Sequence, residues 1–198
     1  MGRILGIDYG DSRIGLAMSD PLKFIASPFK TIRNEGNEKW LQSFQSLIKE
    51  IPWYTSVVLN ENATCDLIDN FMLTHNFYAQ YKPQSQFFSS HIAPLLSHMQ
   101  VRSLIRVRAN LTARTEKIIK HGFHIDYKAV VDGEVQETPN CFTSILYLNT
   151  NDGYTEFENG TKIESIENRL ITFPLSYLHT GTTCTNQPFR SVINFNYY

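Results

Sequence analysis

The stretch HGFHIDY, residues 121–127, decides how the rest of the chain is read. In an extended backbone successive side chains point to opposite faces, so His124 and Asp126, two residues apart, leave the same face. One imidazole and one carboxylate then converge. His121, three residues before His124, falls on the opposite face by the same count and reads as structural. A third candidate ligand is His179 in SYLHTGTT (176–183), directly after the apolar segment NRLITFP (168–174). Two imidazoles and one carboxylate on one side of a metal leave the other side open, an arrangement suited to Fe(II).

Working outward, Arg190 stands eleven residues after His179, at the start of the last apolar stretch. A guanidinium held inside a fold is a fixed two-pronged donor for a carboxylate. A metal with open positions and a carboxylate clamp together suit a dicarboxylic keto acid, one end chelating the metal and the far end pairing with the arginine. Cys184, five residues beyond His179, reads as a small buried hydrophobe.

The surrounding text sets the fold class. Leu104 to Leu111, Phe142 to Asn149, Tyr154 to Phe157, Lys162 to Ile166, Arg169 to Phe173 and Ser191 to Tyr198 are short, β-branched or aromatic runs. Asp-Gly, Asn-Gly and Pro punctuate them, which predicts antiparallel strands. Before them the spacing predicts helices. Trp40, Leu41, Phe44, Leu47, Ile48 and Ile51 recur helically behind a cap at Asn37, and Pro52 closes that run. Leu67, Ile68, Phe71 and Met72 form a second stripe after Thr64, and Ile92, Leu95, Leu96 and Met99 a third behind Ser90. Helices first and strands second predict an α+β, mainly β domain, with the N-terminal helices packed on one face of an antiparallel barrel or sandwich. Trp53, Tyr54, Phe77, Tyr78, Tyr81, Phe87 and Phe88 are expected mostly in the core, a few lining a substrate mouth.

Composition narrows the partners. Of the 198 residues, 42% are hydrophobic and 19% charged, which fits a globular chain rather than a disordered one. Eighteen basic side chains nearly cancel nineteen acidic ones, so no global field draws nucleic acid or an anionic membrane. Arg102, Arg106, Arg108, Arg114, Lys117 and Lys120 against Glu116 make a local basic stretch, expected as a solvated strand edge, with attraction of an anionic co-substrate as the functional alternative. The three cysteines, Cys65, Cys141 and Cys184, carry no paired spacing, which argues against a disulfide framework or structural zinc and for a reducing compartment. Charges interrupt the opening residues and no long apolar run follows, so a cytoplasmic protein with no membrane partner is expected.

From about residue 51 to 198 the chain resembles the 2-oxoglutarate and Fe(II)-dependent dioxygenases, in particular the prolyl-4-hydroxylase-like branch with its phage and marine-microbial members. The matching residues are HGFHIDY (121–127), NTNDGYTEFENGTKI (149–163), NRLITFPLSYLHTGTTCT (168–185) and RSVINFNYY (190–198). The resemblance implies a double-stranded β-helix, a cupin-like jelly roll. It makes His124, Asp126 and His179 the catalytic metal ligands for Fe(II), and Arg190 the partner of the far carboxylate of 2-oxoglutarate. It also implies the reaction: 2-oxoglutarate and O2 yield succinate and CO2 while a C–H bond of a small-molecule or peptidyl substrate is hydroxylated. Val192 stands where many relatives carry Ser. The tyrosine strand that helps hold the co-substrate in prolyl hydroxylases is replaced by IRVRANL (105–111), leaving Asn110 or Arg108 for that task. The loop from Lys128 to Asn140 is where substrate choice is expected to lie.

Residues 4–32, ILGIDYGDSRIGLAMSDPLKFIASPFKTI, resemble a different family, the start of the Holliday-junction-resolvase-like proteins of the RNase H fold. Asp8 matches that family's first catalytic carboxylate. Two-metal phosphodiester cleavage needs several carboxylates together, and after Arg33 the pattern does not continue. Residues 1–33 therefore read as a truncated fragment built on a hairpin or small three-stranded unit, and residues 38–198 as the dioxygenase domain. The competing functions are a metal-dependent nuclease acting on branched nucleic acid and a non-catalytic jelly-roll binding module.

Overall fold

A computed structural model describes residues 5–9, 13–19, 26–33, 46–57, 71–127, 129–131, 134–136 and 140–198. Three N-terminal strands, β1 (Leu5–Tyr9), β2 (Arg13–Ser19) and β3 (Ala26–Arg33), form an antiparallel sheet in sequential order. This is the hairpin expected from the alternating apolar pattern, extended by one strand. Strand β1 comes close to Leu170–Pro174.

Residues 46–50 are helical (α1), and Pro52, which cannot donate a backbone hydrogen bond, follows their last turn. The Trp53 indole N–H donates to the Ile48 carbonyl at 2.9 Å, fixing the exit of the chain. The cap at Asn37, the positions Trp40, Leu41 and Phe44, and the stretch from Thr64 to Ile68 lie outside the described residues. Phe71 and Met72, expected on a helix, instead open a long strand. The elements here are β4 (Tyr54–Val57), β5 (Phe71–Ala79) and the short β6 (Lys82–Pro83). The register explains the difference. β5 pairs with β7 (Leu104–Ala113) from Leu73 opposite Leu111 to Tyr78 opposite Val107, a non-local match that a helical stripe of four apolar residues cannot report.

Ser90 is not a helix cap. It sits inside a π-turn, Phe88–Ile92, that runs into α2 (Ala93–His98), whose N-cap is Ile92 with Pro94 in its first turn. The remaining strands are β8 (Ala129–Val131), β9 (Glu134–Gln136), β10 (Phe142–Tyr147), β11 (Tyr154–Phe157), β12 (Lys162–Glu164), β13 (Leu170–Pro174), β14 (His179–Gly181) and β15 (Phe189–Tyr197).

A seven-stranded antiparallel sheet runs β13-β10-β15-β7-β5-β4, with β6 paired to β5, and a three-stranded sheet runs β12-β11-β14. Strand alternation gives the large sheet two different faces. On one face Val107 and Ala109 of β7, Leu146 of β10, and Ile193, Phe195 and Tyr197 of β15 bury with Leu47, Ile48, Ile51, Ile92 and Leu95 from the helical segments. Each such large side chain contributes roughly 1.5–3 kcal/mol on burial. Helices therefore cover one face of the sheet, as expected. Trp53, Phe77, Tyr78, Phe87 and Phe88 join this core, while Tyr54 and Tyr81 are exposed.

The other face packs on the small sheet. Ile145, Tyr147, Phe173 and Val192 cluster there with Phe157, Ile163, Ile171 and Tyr177. The Tyr147 hydroxyl donates to Thr155 Oγ1 at 2.7 Å across the gap. Strand β7, expected as a solvated edge, lies between β15 and β5. Arg106 and Arg108 accordingly face the gap between the sheets, whereas Arg102, Arg114, Lys117 and Lys120 are exposed as expected, Lys120 pairing with Glu156 at 3.0 Å.

Candidate metal and anion site

The gap between the sheets holds the residues singled out by sequence. β14 presents His179 from the small sheet, and His124 joins it through an isolated antiparallel bridge in which each residue's N–H bonds the other's carbonyl. The candidate ligand atoms of His124, Asp126 and His179 all lie within 4.8 Å of one another. His124 Nε2 is 3.7 Å from Asp126 Oδ1, and His179 Nε2 is 3.9 Å from Asp126 Oδ2.

The tautomers are fixed by what lies behind the rings. His124 Nδ1 faces the Gly122 carbonyl at 3.2 Å, and His179 Nδ1 faces the Tyr177 carbonyl at 3.1 Å. A carbonyl only accepts, so each Nδ1 carries the proton and each Nε2 presents a lone pair inward. His179 Nε2 is buried with no hydrogen-bond partner among the described residues. A buried lone pair left unmatched costs free energy that a cation at this point would recover. Two Nε2 lone pairs and a carboxylate make a hard, three-sided donor set, which fits Fe(II) with open positions opposite.

Asp126 is held from several sides. Asn194 Nδ2 lies 3.4 and 3.3 Å from its two carboxylate oxygens and Asn196 Nδ2 3.1 Å from Oδ2. Arg106 Nη2 donates to the Asp126 carbonyl at 2.9 Å and stands 3.6 Å from Oδ1. Burial alone would raise the carboxyl, but the nearby His124, His179 and Arg106 outweigh it and hold it well below the usual carboxylate range. The two histidines shift in opposite directions beside the same carboxylate. Burial pulls His179 down with Asp126 opposing, whereas around His124 the pull of Asp126 outweighs burial and raises it. The contrast lies in the contact with the carboxylate: Asp126 both hydrogen-bonds and attracts His124, whereas it acts on His179 through charge alone.

Arg190 is 6% exposed at the start of β15, inside the same cavity. Its Nε donates to Ser165 Oγ at 2.8 Å, its Nη2 donates to Thr155 Oγ1 at 3.1 Å, and its guanidinium lies 5.6 Å from the centre of the Tyr147 ring. Among the described residues no carboxylate pairs with it. Burial lowers its affinity for the proton, with Tyr147 and Cys184 opposing. Gly153 makes room for it: a Cβ there would stand 2.8 Å from Arg190 Cδ and 2.6 Å from the Thr183 carbonyl oxygen.

A cavity of about 270 Å³ connects the triad to Arg190. Asn110 and Arg108 line it, with Arg108 Nε donating to Asn110 Oδ1 at 3.0 Å. Burial, then Arg106, pulls the Arg108 guanidinium down to about 10. Val192 lines the cavity too. His121 corrects its expected placement, since it too lines this cavity rather than the opposite face. The strand rule fails because Gly122 takes a positive φ of 98°, turning the backbone between His121 and His124. A larger apolar opening of about 820 Å³ beside Phe157 and Phe173 contains none of the three candidate ligands. Cys184 is fully buried, as expected, its thiol donating to the Gln187 carbonyl.

Among the described residues no helix is long and apolar enough to cross a membrane. A family model described as RuvX: Holliday junction resolvase matches residues 2–59. Among curated proteins, one from Amoebophilus asiaticus named as a candidate pre-16S rRNA nuclease is 30% identical over 143 residues, covering 65% of this chain and 97% of that protein. A relative of the same description from Chlorobium luteolum is 63% identical over 35 residues, covering 18% of this chain and 25% of that protein. Among solved structures, a 2OG-Fe(II) oxygenase family oxidoreductase from Burkholderia pseudomallei has a TM-score of 0.49 at 12% identity, covering 79% of this chain and 78% of that one. HygX from Streptomyces hygroscopicus, with nickel and 2-oxoglutarate bound, has a TM-score of 0.48 at 9% identity, covering 80% and 78%. The nuclease resemblance of the opening residues is matched by sequence. The family model ends at residue 59 and stops short of His124, Asp126 and His179. With 97% of the Amoebophilus asiaticus relative covered at 30% identity, the chain belongs to the family of that relative, the proteins named as candidate pre-16S rRNA nucleases.

Proposed function

We propose that the domain beyond the N-terminal strands is a 2-oxoglutarate- and Fe(II)-dependent dioxygenase that hydroxylates a C–H bond, and that its two facing sheets form a closed double-stranded β-helix. The observation that carries this reading is the convergence of two inward-facing Nε2 atoms and one carboxylate in a cavity shared with a buried guanidinium that has no carboxylate partner among the described residues. A binding module would have no evident use for that combination.

In this reading His124, Asp126 and His179 hold the iron, and Arg190 takes the far carboxylate of 2-oxoglutarate. Iron with 2-oxoglutarate and O2 supplies the oxidation, one oxygen atom going to succinate and the other to the substrate C–H bond as CO2 leaves. The protein's own residues orient and shield. The carbonyls of Gly122 and Tyr177 keep both imidazoles turned inward. Asn194, Asn196 and Arg106 hold the carboxylate in one pose. Asn110 and Arg108 lie on the cavity wall, where they are placed to bind the co-substrate. The substrate is a small molecule or peptide, and the buried Cys184, which is in no disulfide, favours a reducing compartment such as the cytoplasm.

The test is succinate release in an iron-replete, anaerobically prepared assay started with O2. His124→Ala and Asp126→Ala are expected to abolish release while leaving the circular dichroism spectrum intact. Undiminished release by either variant refutes the assignment.

A second reading rests on the N-terminal match: Asp8, on β1, would serve metal-dependent cleavage of nucleic acid. Cleavage of branched DNA or structured RNA with Mg²⁺, lost in Asp8→Asn and kept in Asp126→Ala, would assign that activity to the N-terminal segment.

A further inference from the structure

Two buried polar atoms in the cavity that holds Arg190 have no hydrogen-bond partner among the described residues: Nε2 of His121, which is 5% exposed, and Oγ1 of Thr112, which is 6% exposed. Both line the cavity that holds the metal ligands and Arg190. Neither is one of the three converging ligands.

Their places in the fold bring them to the guanidinium. Thr112 on β7 is the register partner of Arg190 on β15, and their side chains share the cavity face of the sheet. The His121 N–H donates to the Gly181 carbonyl at 3.2 Å, and a Cβ on Gly181 would lie 3.4 Å from Arg190 Nη1. The backbone thus sets His121 across a glycine from the guanidinium. Burial, Arg190 and His124 hold the His121 imidazole down to about 4, so it is neutral at pH 7 and adds no charge beside the arginine.

Native proteins rarely leave a buried ring nitrogen and a buried hydroxyl unpartnered in one cavity. A carboxylate seated on Arg190 would satisfy both, with His121 in the tautomer that carries its proton on Nε2 and each atom donating to one of its oxygens, and would neutralise a buried cation that has no acid partner among the described residues. We infer that His121 and Thr112 complete, with Arg190, a three-donor seat for the far carboxylate of a five-carbon keto acid. This rests on the dioxygenase reading above and deepens it. The seat makes co-substrate selection depend on the distal carboxylate, with His121 and Thr112 as residues that set that specificity.

The test is anaerobic titration of the full-length Fe(II)-loaded protein with 2-oxoglutarate and, separately, with 2-oxovalerate, which has the same chain length but no far carboxylate. Binding is followed by the weak visible charge-transfer band. One hydrogen bond to a charged group corresponds to roughly a tenfold or greater change in affinity. His121→Leu and Thr112→Val are each expected to weaken 2-oxoglutarate about tenfold or more, to leave 2-oxovalerate unchanged, and to leave Fe(II) affinity unchanged. His121→Gln, which keeps an N–H donor, is expected to recover part of the loss. Because each variant is judged by the ratio of its two ligands, a general loss of fold moves both and cannot imitate the result. Wild-type discrimination in both His121→Leu and Thr112→Val, or an equal loss for both keto acids, overturns the inference. Absence of any band with the wild-type protein overturns the dioxygenase reading itself.

Discussion

Replacing Arg190 by Met should separate stability from function in an unusual way. The side chain is buried and cationic, and among the described residues its partners are the hydroxyls of Ser165 and Thr155 and the face of Tyr147. Losing two hydrogen bonds from a charged group costs about 3–6 kcal/mol. Against this, the ligand-free protein no longer buries an ion without a counter-ion, a penalty of several kcal/mol. The two offset, so Arg190→Met is expected to change the ligand-free unfolding free energy by less than about 2 kcal/mol. Co-substrate binding has no such offset. Breaking a buried charge pair costs about 3–5 kcal/mol, or roughly 10²–10⁴-fold in affinity. Urea unfolding with and without 2-oxoglutarate, with Mn²⁺ in place of iron, reads both quantities. At a hundred times its Kd the ligand should stabilise the wild-type protein by about 2.7 kcal/mol and the variant hardly at all. Ligand-free Arg190→Met destabilised by more than about 4 kcal/mol, or ligand stabilisation equal to wild type, would refute the reasoning.

Gly153→Ala places a methyl group against the Thr183 carbonyl and Arg190 Cδ, so the arginine must move; 2-oxoglutarate titration should show at least tenfold weaker binding with iron affinity kept. Phe77→Ala empties a fully buried position of the helix-facing core and should cost about 3–5 kcal/mol in chemical denaturation. Through His121 the metal-free protein should lose stability as the pH falls below about 6.5, with His124, raised when folded, opposing it. His121 is held down to about 4 when folded, so the unfolded chain takes up its proton first. Its contribution is complete above the unfolded value and disappears as the pH approaches the folded one. Denaturation midpoints in chelator at pH 7 and pH 5 should differ less in His121→Leu than in wild type. Asp126, depressed when folded, adds a further loss only below about pH 4.

The strands of the second half were legible because each buries one face, and alternation records that directly. Tyr154–Phe157 has the expected bounds, and the others differ by a few residues at their ends. β5 was not legible. Its partners lie some thirty residues away on β7, and Phe71 and Met72 fit a helical stripe equally well when only neighbours are counted. β4, β8 and β14 are four residues or shorter, too brief for a period to show. Within the site, His124, Asp126, His179 and Arg190 could be read from residue type, spacing and family likeness. His121 and Thr112 could not. The first is turned inward by the positive φ at Gly122, and the second is one threonine among many until β15 is laid beside it. The glycine two residues before His124 was the available signal for a broken alternation.

Strand β15 carries Arg190, Val192, Asn194 and Asn196 on one side and Ile193, Phe195 and Tyr197 on the other. A one-residue slip or insertion near its start would therefore invert the whole strand, driving a guanidinium and two amides against the helices while turning aromatic rings into the polar cavity. Folding and chemistry would fail in the same event. An ancestral chain could not have adjusted one without keeping the other, so this strand should vary by exchange of side chains and never by change of length.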